Sequence, residues 1–170
     1  MKIAILSDIH DNVWKLDAAL DAVRDADAML CCGDLCSPFV VHQLGRGFAR
    51  PVHVVFGNND GDLYRIANNA RAYPHIRLHG EIFRGEFDGQ RFAMNHYDTI
   101  ARTLAASGEN DVVCYGHNHV FEISQMGKAL AINPGPIMGA AFAPDGTRRD
   151  VPSTYAIYDT ALRHAARFEV

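Results

Sequence analysis

The sequence predicts a mixed α/β domain in which two β-layers pack against each other and helices cover the outside. Short, continuous apolar runs in the first half are typical of strands buried on both faces, and apolar residues between these runs recur at helical spacing. The second half instead carries two hairpin signals, at Asp88-Gly89 and at Gly127-Lys128. Because the chain has 170 residues, 48% of them hydrophobic and 21% charged, we expect one soluble domain over residues 1–170.

The first half is predicted to alternate between strands and helices. Lys2–Ser7, which is rich in Ile, forms the first strand. A helix follows over Val13–Val23, with either Asp11 or Asn12 as its N-cap. Further strands are predicted over Ala28–Cys32 and Val52–Phe56, and further helices over Pro38–Leu44 and Asp62–Ala72.

The second half is predicted to be richer in strands. One helix, from Thr99 to Ser107, leads into a strand over Asp111–Tyr115. Between two prolines, the segment Pro144–Pro152 contains an Asp-Gly pair and two arginines, which predicts an exposed, mobile loop. The remaining strands are predicted as three antiparallel pairs: Glu81–Phe87 with Gln90–Asn95, Val120–Gln125 with Ala129–Ile132, and Thr154–Asp159 with Arg163–Val170.

Composition argues against several classes of function. The formal net charge of -4 offers no broad attraction for a long nucleic acid. No apolar run approaches the roughly 20 residues that a membrane span needs, and the N-terminal segment lacks the features of a signal peptide. The four cysteines show no zinc-ribbon spacing, so we expect buried thiols in a reducing cytoplasm.

Residues of the types that bind metals follow five of the predicted strands. They are Asp8 and His10, Asp34, Asn58 with Asn59 and Asp60, His96, and His117 with His119. Because the carboxyl ends of strands in an α/β sheet share one edge, we expect these side chains to converge. Each motif alone has an ordinary explanation as a turn, a cap or a core histidine, and their combination is what favours a metal site.

The spacing within two of these motifs predicts how they bind. Asp8 and His10 are two positions apart, as are His117 and His119. In an extended segment each pair points to one side, so each pair is expected to clamp a cation. A set of carboxylate, imidazole and amide ligands suits Mn²⁺, Fe or Zn²⁺ better than Ca²⁺ or Mg²⁺ alone.

The order of these motifs resembles the signature of the calcineurin-like metallophosphoesterase superfamily, and most of all its small prokaryotic phosphodiesterase branch. The resemblance rests on Asp8-x-His10, Gly33-Asp34, Gly57-Asn58-x-Asp60, His96 and Gly116-His117-x-His119. It implies a four-layer α-β-β-α sandwich with mixed sheets. It also implies that one metal is held by Asp8, His10 and His119, a second by Asn58, His96 and His117, and both by a bridging Asp34.

The resemblance implies a metal-dependent phosphoric ester hydrolase acting on small phosphodiesters rather than monoesters. Two divalent cations, Mn²⁺ in the first place and Ni²⁺, Fe or Zn²⁺ as alternatives, would share a bridging hydroxide that attacks phosphorus. The alternative left open is a weak or inactive scaffold of the same fold that binds protein partners. A homo-oligomer also stays open, whereas long nucleic acids and membranes are not expected partners.

The sequence departs from the superfamily pattern near the expected phosphate. Asn59 stands where relatives carry histidine or cysteine, and an amide cannot act as a general acid near neutral pH. We therefore expect Asn59 to contact phosphate and monoester turnover to be slow. Asp60 is expected to orient the ligands, and Asn12 and Tyr97 are candidate substrate contacts, with packing against the next helix as the alternative for Tyr97.

Overall fold

The computed structural model describes all residues from 1 to 170, and its regular elements are four helices and thirteen strands. In chain order they are β1 (Lys2–Leu6), α1 (Val13–Val23), β2 (Ala28–Cys31), α2 (Val40–Gly47), β3 (Val52–Val54), α3 (Leu63–Ala70), β4 (Ile76–Leu78), β5 (Ile82–Phe87), β6 (Gln90–Asn95), α4 (Asp98–Ala106), β7 (Val112–Cys114), β8 (Glu122–Met126), β9 (Ala129–Asn133), β10 (Ala140–Phe142), β11 (Arg148–Asp150), β12 (Thr154–Asp159) and β13 (His164–Glu169).

Two mixed sheets and one small ribbon contain these strands. The first sheet has the order β13-β12-β1-β2-β3-β4, in which β1 to β4 are parallel and the last two strands of the chain are antiparallel additions. The second sheet has the order β5-β6-β7-β9-β8, with a parallel centre and antiparallel edges. The ribbon consists of β10 and β11. The parallel strands align their carboxyl ends along one edge of each sheet.

Successive side chains of a strand point to opposite faces of its sheet, and this alternation produces a structure of four layers. In β1, Ala4 and Leu6 belong to a core shared with α1, α2 and α3, whereas Ile3 and Ile5 belong to a core that also contains residues of β6 and β7. Successive strand residues point to opposite faces, so the first sheet has helices on one side and the second sheet on the other. Helix α4 covers the far face of the second sheet through Ala101 and Ala105. The predicted α-β-β-α sandwich is confirmed.

Most predicted elements are confirmed within one or two residues, but three strands, β4, β10 and β11, were missed. Ile76–Leu78 is too short, with an arginine at its centre, to give a periodic signal. The segment Pro144–Pro152 was predicted as a loop and instead contains β11, paired with β10. All three residues of β11 are exposed, which agrees with the prediction of exposure. Its Arg-Arg-Asp sequence lacks the apolar alternation by which a strand is detected.

The cysteines agree only partly with the prediction of buried thiols. Cys31, Cys32 and Cys114 are buried, whereas Cys36 is half-buried, and none forms a disulfide. Burial raises the pKa of Cys31 to about 12, so this thiol stays protonated. None of the four helices combines the length and the apolar character needed to span a membrane.

A histidine pair lies at the edge of the first sheet, away from the predicted ligands. His53 in β3 is only 9% exposed, and its Nδ1 lies 3.0 Å from Nε2 of His79. Its ring also packs on Phe83 and Phe87. Burial, followed by the positive charges that His79 and Arg77 can carry, lowers the pKa of His53 to about 4 from its ordinary value of 6.5.

This lowered pKa predicts a loss of stability in acid. Between about pH 6.5 and pH 4 the unfolded chain binds a proton at His53 that the folded chain does not, so the stabilisation present above pH 6.5 disappears as pH falls through that window. We expect the free energy of unfolding of the wild type to fall, relative to His53→Phe, by about 3 kcal/mol between pH 7 and pH 4. Urea unfolding of the metal-free proteins measures this difference.

Comparison with His53→Phe cancels the titration of the other histidines, which both proteins share. The exposed His164 offers a matched control, because His164→Phe removes an imidazole that the fold does not bury. Parallel pH profiles for the wild type and His53→Phe would contradict the assignment.

Candidate metal centre

All seven predicted metal ligands lie together where the parallel strands of both sheets end. They form one continuous set of contacts: Asp8, His10, Asp34, Asn58, His96, His117 and His119. The residues come from five separate segments, after β1, β2, β3, β6 and β7. The convergence expected from the carboxyl-end rule is therefore observed.

The first cluster consists of Asp8, His10, Asp34 and His119, each of which offers one ligand atom within 4.8 Å of the others. Nε2 of His119 lies 3.3 Å from Oδ1 of Asp8 and 3.3 Å from Nε2 of His10. Nε2 of His10 also lies 3.3 Å from Oδ2 of Asp34. Asp8 is fully buried, so this carboxylate is directed at the imidazoles rather than at solvent.

The second cluster shares Asp34 with the first. Oδ2 of Asp34 lies 3.4 Å from Nε2 of His96, the same nitrogen that lies 3.0 Å from Oδ1 of Asn58. That amide oxygen is in turn 2.9 Å from Nδ1 of His117. One carboxylate oxygen therefore faces a histidine of each cluster. Asp34 is 1% exposed, whereas Asn58 and His117 are exposed, so the second cluster is the more open of the two.

Two of the imidazoles are oriented by backbone carbonyl groups. Nδ1 of His96 lies 2.8 Å from the carbonyl oxygen of Cys32, and Nδ1 of His119 lies 2.7 Å from that of Ala140. A carbonyl oxygen only accepts, so in each ring Nδ1 carries the proton and Nε2 presents its lone pair to the cluster. Nδ1 of His10 instead contacts a sulfur atom, Sγ of Cys36, at 3.5 Å.

The backbone around the ligands is not extended, which corrects the geometry expected from the spacing. Asp8, His10, Asp34, His117 and His119 all have positive φ, between 44° and 72°. These left-handed conformations turn the chain at each strand end, and they cost free energy in residues other than glycine. The pairs consequently do not act as two clamps: Asp8 and His10 serve the first cluster, whereas His117 and His119 serve different clusters.

Glycines allow the close approach of the segments that hold the ligands. A Cβ on Gly57 would overlap Oδ1 of Asp34, and one on Gly116 would overlap the side chains of Ser7 and Asp8. Gly33 adopts φ +97° directly before Asp34 and lies against Gly57. The predicted role of these three glycines, which was to permit tight turns and close backbone approach, agrees with this geometry.

Charges within the clusters set the protonation of their members. Burial alone would raise the pKa of Asp34, but hydrogen bonds from His10 and His96 outweigh it and hold that pKa well below its ordinary range. Burial opposes protonation of His96 and His119, yet Asp34 and Asp8 respectively raise the pKa of each ring. Without a bound cation, these two imidazoles therefore keep a second proton to higher pH than a free histidine would.

The donor set fits divalent cations. With Nδ1 committed to a carbonyl group, Nε2 of His96 and Nε2 of His119 point lone pairs at oxygens that are themselves acceptors. Only a proton or a cation between the facing lone pairs makes such contacts favourable. Each cluster offers two imidazoles, joined by the Asp8 carboxylate in the first and by the Asn58 amide in the second. Together with the shared Asp34 carboxylate, these sets match the mixed N/O coordination of Mn²⁺, Fe or Zn²⁺.

Asn59 and Asp60 support Asp34 instead of standing free. Nδ2 of Asn59 donates to Oδ2 of Asp34 at 2.9 Å, and its backbone N–H donates to Oδ1 at 2.8 Å. Asp60 accepts from the backbone N–H groups of Asp34, Cys36 and Gly57. It thereby joins the two loops after β2 and β3, so its predicted orienting role would act through the backbone rather than through a ligand side chain.

The geometry gives Asn12 and Tyr97 structural partners. Oδ1 of Asn12 caps α1 by accepting from Lys15, and its Nδ2 donates to the carbonyl oxygen of Met138, so neither end is free for a substrate. Between the two predicted N-caps, Asn12 is therefore the one used. The ring of Tyr97 packs edge-on against His96 and His117. This packing restrains both rings of the second cluster.

The ligands open into a cleft of about 370 Å³. Two of the residues lining this cleft, Met138 and Phe142, were not predicted. Met138 lies just before β10 and Phe142 ends it, so neither belongs to a recognisable motif. A larger groove of about 580 Å³ runs between α1 and α2, but it contains a single histidine, His42, and no cluster of ligands. Chemistry therefore favours the smaller cleft as the functional one.

Comparison with known proteins gives a consistent result. A family model for the calcineurin-like phosphoesterase superfamily domain matches residues 1–162. The phosphodiesterase MJ0936 of Methanocaldococcus jannaschii is 29% identical over 143 residues, which cover 82% of this chain and 86% of that protein. A probable metallophosphoesterase of Methanothermobacter thermautotrophicus is 30% identical over 144 residues, 79% of this chain and 76% of that protein.

A solved structure described as a novel archaeal phosphodiesterase superposes with a TM-score of 0.87 and 25% identity, with both chains fully covered. The chain thus matches small prokaryotic proteins over nearly its whole length.

Proposed function

The chain belongs to the calcineurin-like phosphoesterase superfamily, and from this premise we propose that it is a dinuclear metal-dependent phosphodiesterase acting on small phosphodiesters. The proposal treats residues 1–170 as one catalytic domain. Two relatives that carry the name phosphodiesterase, or a description as one, support the reaction class. The observation that carries the dinuclear assignment is the position of Asp34, whose Oδ2 faces His10 of one cluster and His96 of the other.

In this proposal Asp8, His10 and His119 hold one cation, Asn58, His96 and His117 hold the second, and Asp34 bridges them. Two such cations, when bound, would lower the pKa of a metal-held water, orient the phosphate and stabilise charge in the transition state. We propose Mn²⁺ as the native metal, with Ni²⁺, Fe or Zn²⁺ as alternatives. Only Asp8 and Asp34 supply negative charge among the seven ligands, so the loaded centre stays positive and attracts a phosphate anion.

The residues of the chain set the leaving-group chemistry. Asn59 lines the cleft, but its amide already donates to Asp34, and no residue of the cleft other than the ligands is an acid or a base. Protonation of the leaving oxygen is then left to water, which is slow for an alkoxide and unnecessary for a stabilised aryloxide. We therefore propose that diesters with good leaving groups are hydrolysed much faster than alkyl monoesters.

A metal titration tests the proposed function. Metal-free protein is supplied with Mn²⁺, Ni²⁺ or Zn²⁺ while hydrolysis of bis(p-nitrophenyl) phosphate and of an alkyl phosphomonoester is followed. We expect metal-dependent turnover of the diester, with kcat/KM at least about 100-fold above that for the monoester. Comparable values for the two substrates would contradict the leaving-group proposal.

The same titration distinguishes the proposed enzyme from the alternative, a scaffold of the same fold that only binds protein partners. A protein that only binds partners can lose ligands without penalty, yet all seven ligand positions here carry side chains suited to metal. Absence of hydrolysis with every metal would favour the scaffold. We place the active protein in the cytoplasm, a proposal supported by its four unpaired cysteines.

A further inference from the structure

An apolar wall stands beside the first metal cluster. It is formed by Met138 and by Phe142 of β10, and both side chains line the cleft that holds the ligands. Two hydrogen bonds connect the backbone of this segment to the first cluster. Met138 donates its N–H to the carbonyl oxygen of Asp8 at 3.0 Å, and Ala140 accepts from Nδ1 of His119 at 2.7 Å. The wall and the ligands are therefore held in one fixed arrangement.

Phe142 is the member of this wall that a ligand can reach. Its ring centroid lies 6.0 Å from that of His119, and the side chain is 54% exposed. A single exposed aromatic residue on a surface needs no explanation. This one, however, lies two residues after the carbonyl group that orients His119, lines the cleft and is more than half exposed. By contrast, Tyr97 is half-buried and packs against His96 and His117.

The ribbon that carries Phe142 is short but well fixed. Phe142 pairs with Arg148 in the register of β10 and β11, and backbone bonds close the ribbon at both ends, from Val151 to Gly139 and from Ala143 to Thr147. Directly paired residues of an antiparallel ribbon project to the same face, so Arg148 shares a face of the ribbon with Phe142, and its guanidinium lies 3.0 Å from the carboxylate of Asp150. The ribbon therefore holds a flat apolar side chain at the cleft that contains the ligands.

We propose that Phe142 stacks on a planar aromatic group of the substrate, a nucleobase or an aryl ring, while the phosphate lies at the two metals. This inference rests on the proposed function, which it narrows from small phosphodiesters in general to diesters carrying an aromatic group near phosphorus. Stacking of a base on an aromatic side chain strengthens binding by on the order of 5- to 100-fold and tolerates many ring types. The ribbon thus selects the substrate without contributing a group to the chemistry.

Substrates that share one leaving group test the inference. Methyl p-nitrophenyl phosphate, bis(p-nitrophenyl) phosphate and thymidine 5′-(p-nitrophenyl phosphate) all release p-nitrophenolate and differ only in the retained group. With Mn²⁺-loaded protein we expect kcat/KM for at least one aromatic diester to exceed that for the methyl diester by about 5- to 100-fold. The larger of the two gains identifies aryl or nucleobase as the preferred ring.

Variants assign that preference to Phe142. Phe142→Ala is expected to lower the ratio of kcat/KM for the preferred aromatic diester to kcat/KM for the methyl diester by about 5- to 100-fold. Phe142→Tyr is expected to keep the wild-type ratio, because tyrosine retains a planar ring. Leu162, which is 73% exposed in the turn before β13, provides a control: Leu162→Ala removes a similar apolar area far from the cleft and should leave rates and ratio unchanged. A ratio that Phe142→Ala leaves intact overturns the inference.

A binding measurement separates this inference from the proposed function. Calorimetry compares adenosine 5′-monophosphate with ribose 5-phosphate on the Mn²⁺-loaded wild type and on Phe142→Ala. Tighter binding of the nucleotide by the wild type alone supports stacking, and equal affinities in the wild type overturn it. Failure of every metal to promote hydrolysis of any diester contradicts the proposed function instead. A change of oligomeric state in Phe142→Ala without loss of preference would assign the ring to a subunit contact and overturn the inference.

Discussion

Asp34→Asn is expected to lower kcat/KM for bis(p-nitrophenyl) phosphate by on the order of 10³-fold and to leave at most one tightly bound metal per chain. Asp34 is the only residue whose single oxygen faces a histidine of each cluster. Asparagine keeps the shape and can still accept from the backbone N–H of Asn59, but it presents no negative charge to either cation. Steady-state kinetics and metal analysis of the dialysed protein measure the two effects.

A matched variant separates this local effect from a change in total charge. Asp21 is exposed in α1 and distant from the cleft, so Asp21→Asn removes the same formal charge without touching a ligand. It should keep full activity and two metals. Retention of two metals and of activity within about tenfold in Asp34→Asn would contradict the bridging role.

The gathering of the ligands could be predicted from the sequence because it depends on a rule of topology. Once β1, β2 and β3 are predicted as parallel strands, their carboxyl ends share one edge of the first sheet, and the residues that follow them meet there. The same rule brings together the residues that follow β6 and β7 in the second sheet. That argument needs no side-chain detail. Strand positions accurate to one or two residues were therefore enough to assign these residues to a common site.

The way in which the ligands converge could not be predicted by spacing. Asp8 and His10 were expected to point to one side of an extended segment, but both have positive φ. Their conformation is stabilised by long-range backbone bonds, such as those from the N–H groups of Ile9 and His10 to the carbonyl oxygen of Asp34. A tertiary contact of this kind overrides local preference, and no periodicity in the sequence records it.

The residues surrounding the ligands were the least predictable part of the site. Ala140 orients His119 through a backbone carbonyl group, which any residue type could supply. Phe142 reaches the cleft from a three-residue strand whose partner, β11, has no strand-like pattern. Asn12 was predicted as an N-cap and also, from its proximity to His10 in the chain, as a substrate contact; its side chain is the N-cap. Position along the chain is a poor guide to the direction of a side chain at a turn.

Removal of both metals is expected to lower the melting temperature by roughly 10–20 °C. At a free metal concentration of about 100 times the dissociation constant, binding at each of the two sites stabilises the folded chain by about 2.7 kcal/mol. The physical reason lies in the unbound site. Asp8, Asp34 and His96 are buried with acceptor atoms facing one another, and five ligands have left-handed backbone conformations that are costly to maintain. A cation relieves the first of these costs and thereby stabilises the folded chain.

Calorimetric melting of chelator-treated protein, with and without Mn²⁺, measures this stabilisation, and its pH dependence identifies the ligands. Asp34 raises the pKa of His96 and Asp8 raises that of His119, although burial opposes both shifts, so the metal-free site retains protons to higher pH than free histidine would. A protonated imidazole cannot bind metal, hence the stabilisation by Mn²⁺ should grow as pH rises through these raised values. Asp34→Asn should show a clearly smaller increase at every pH. Equal melting temperatures with and without Mn²⁺ at pH 8 would mean that the clustered side chains hold protons instead of metals.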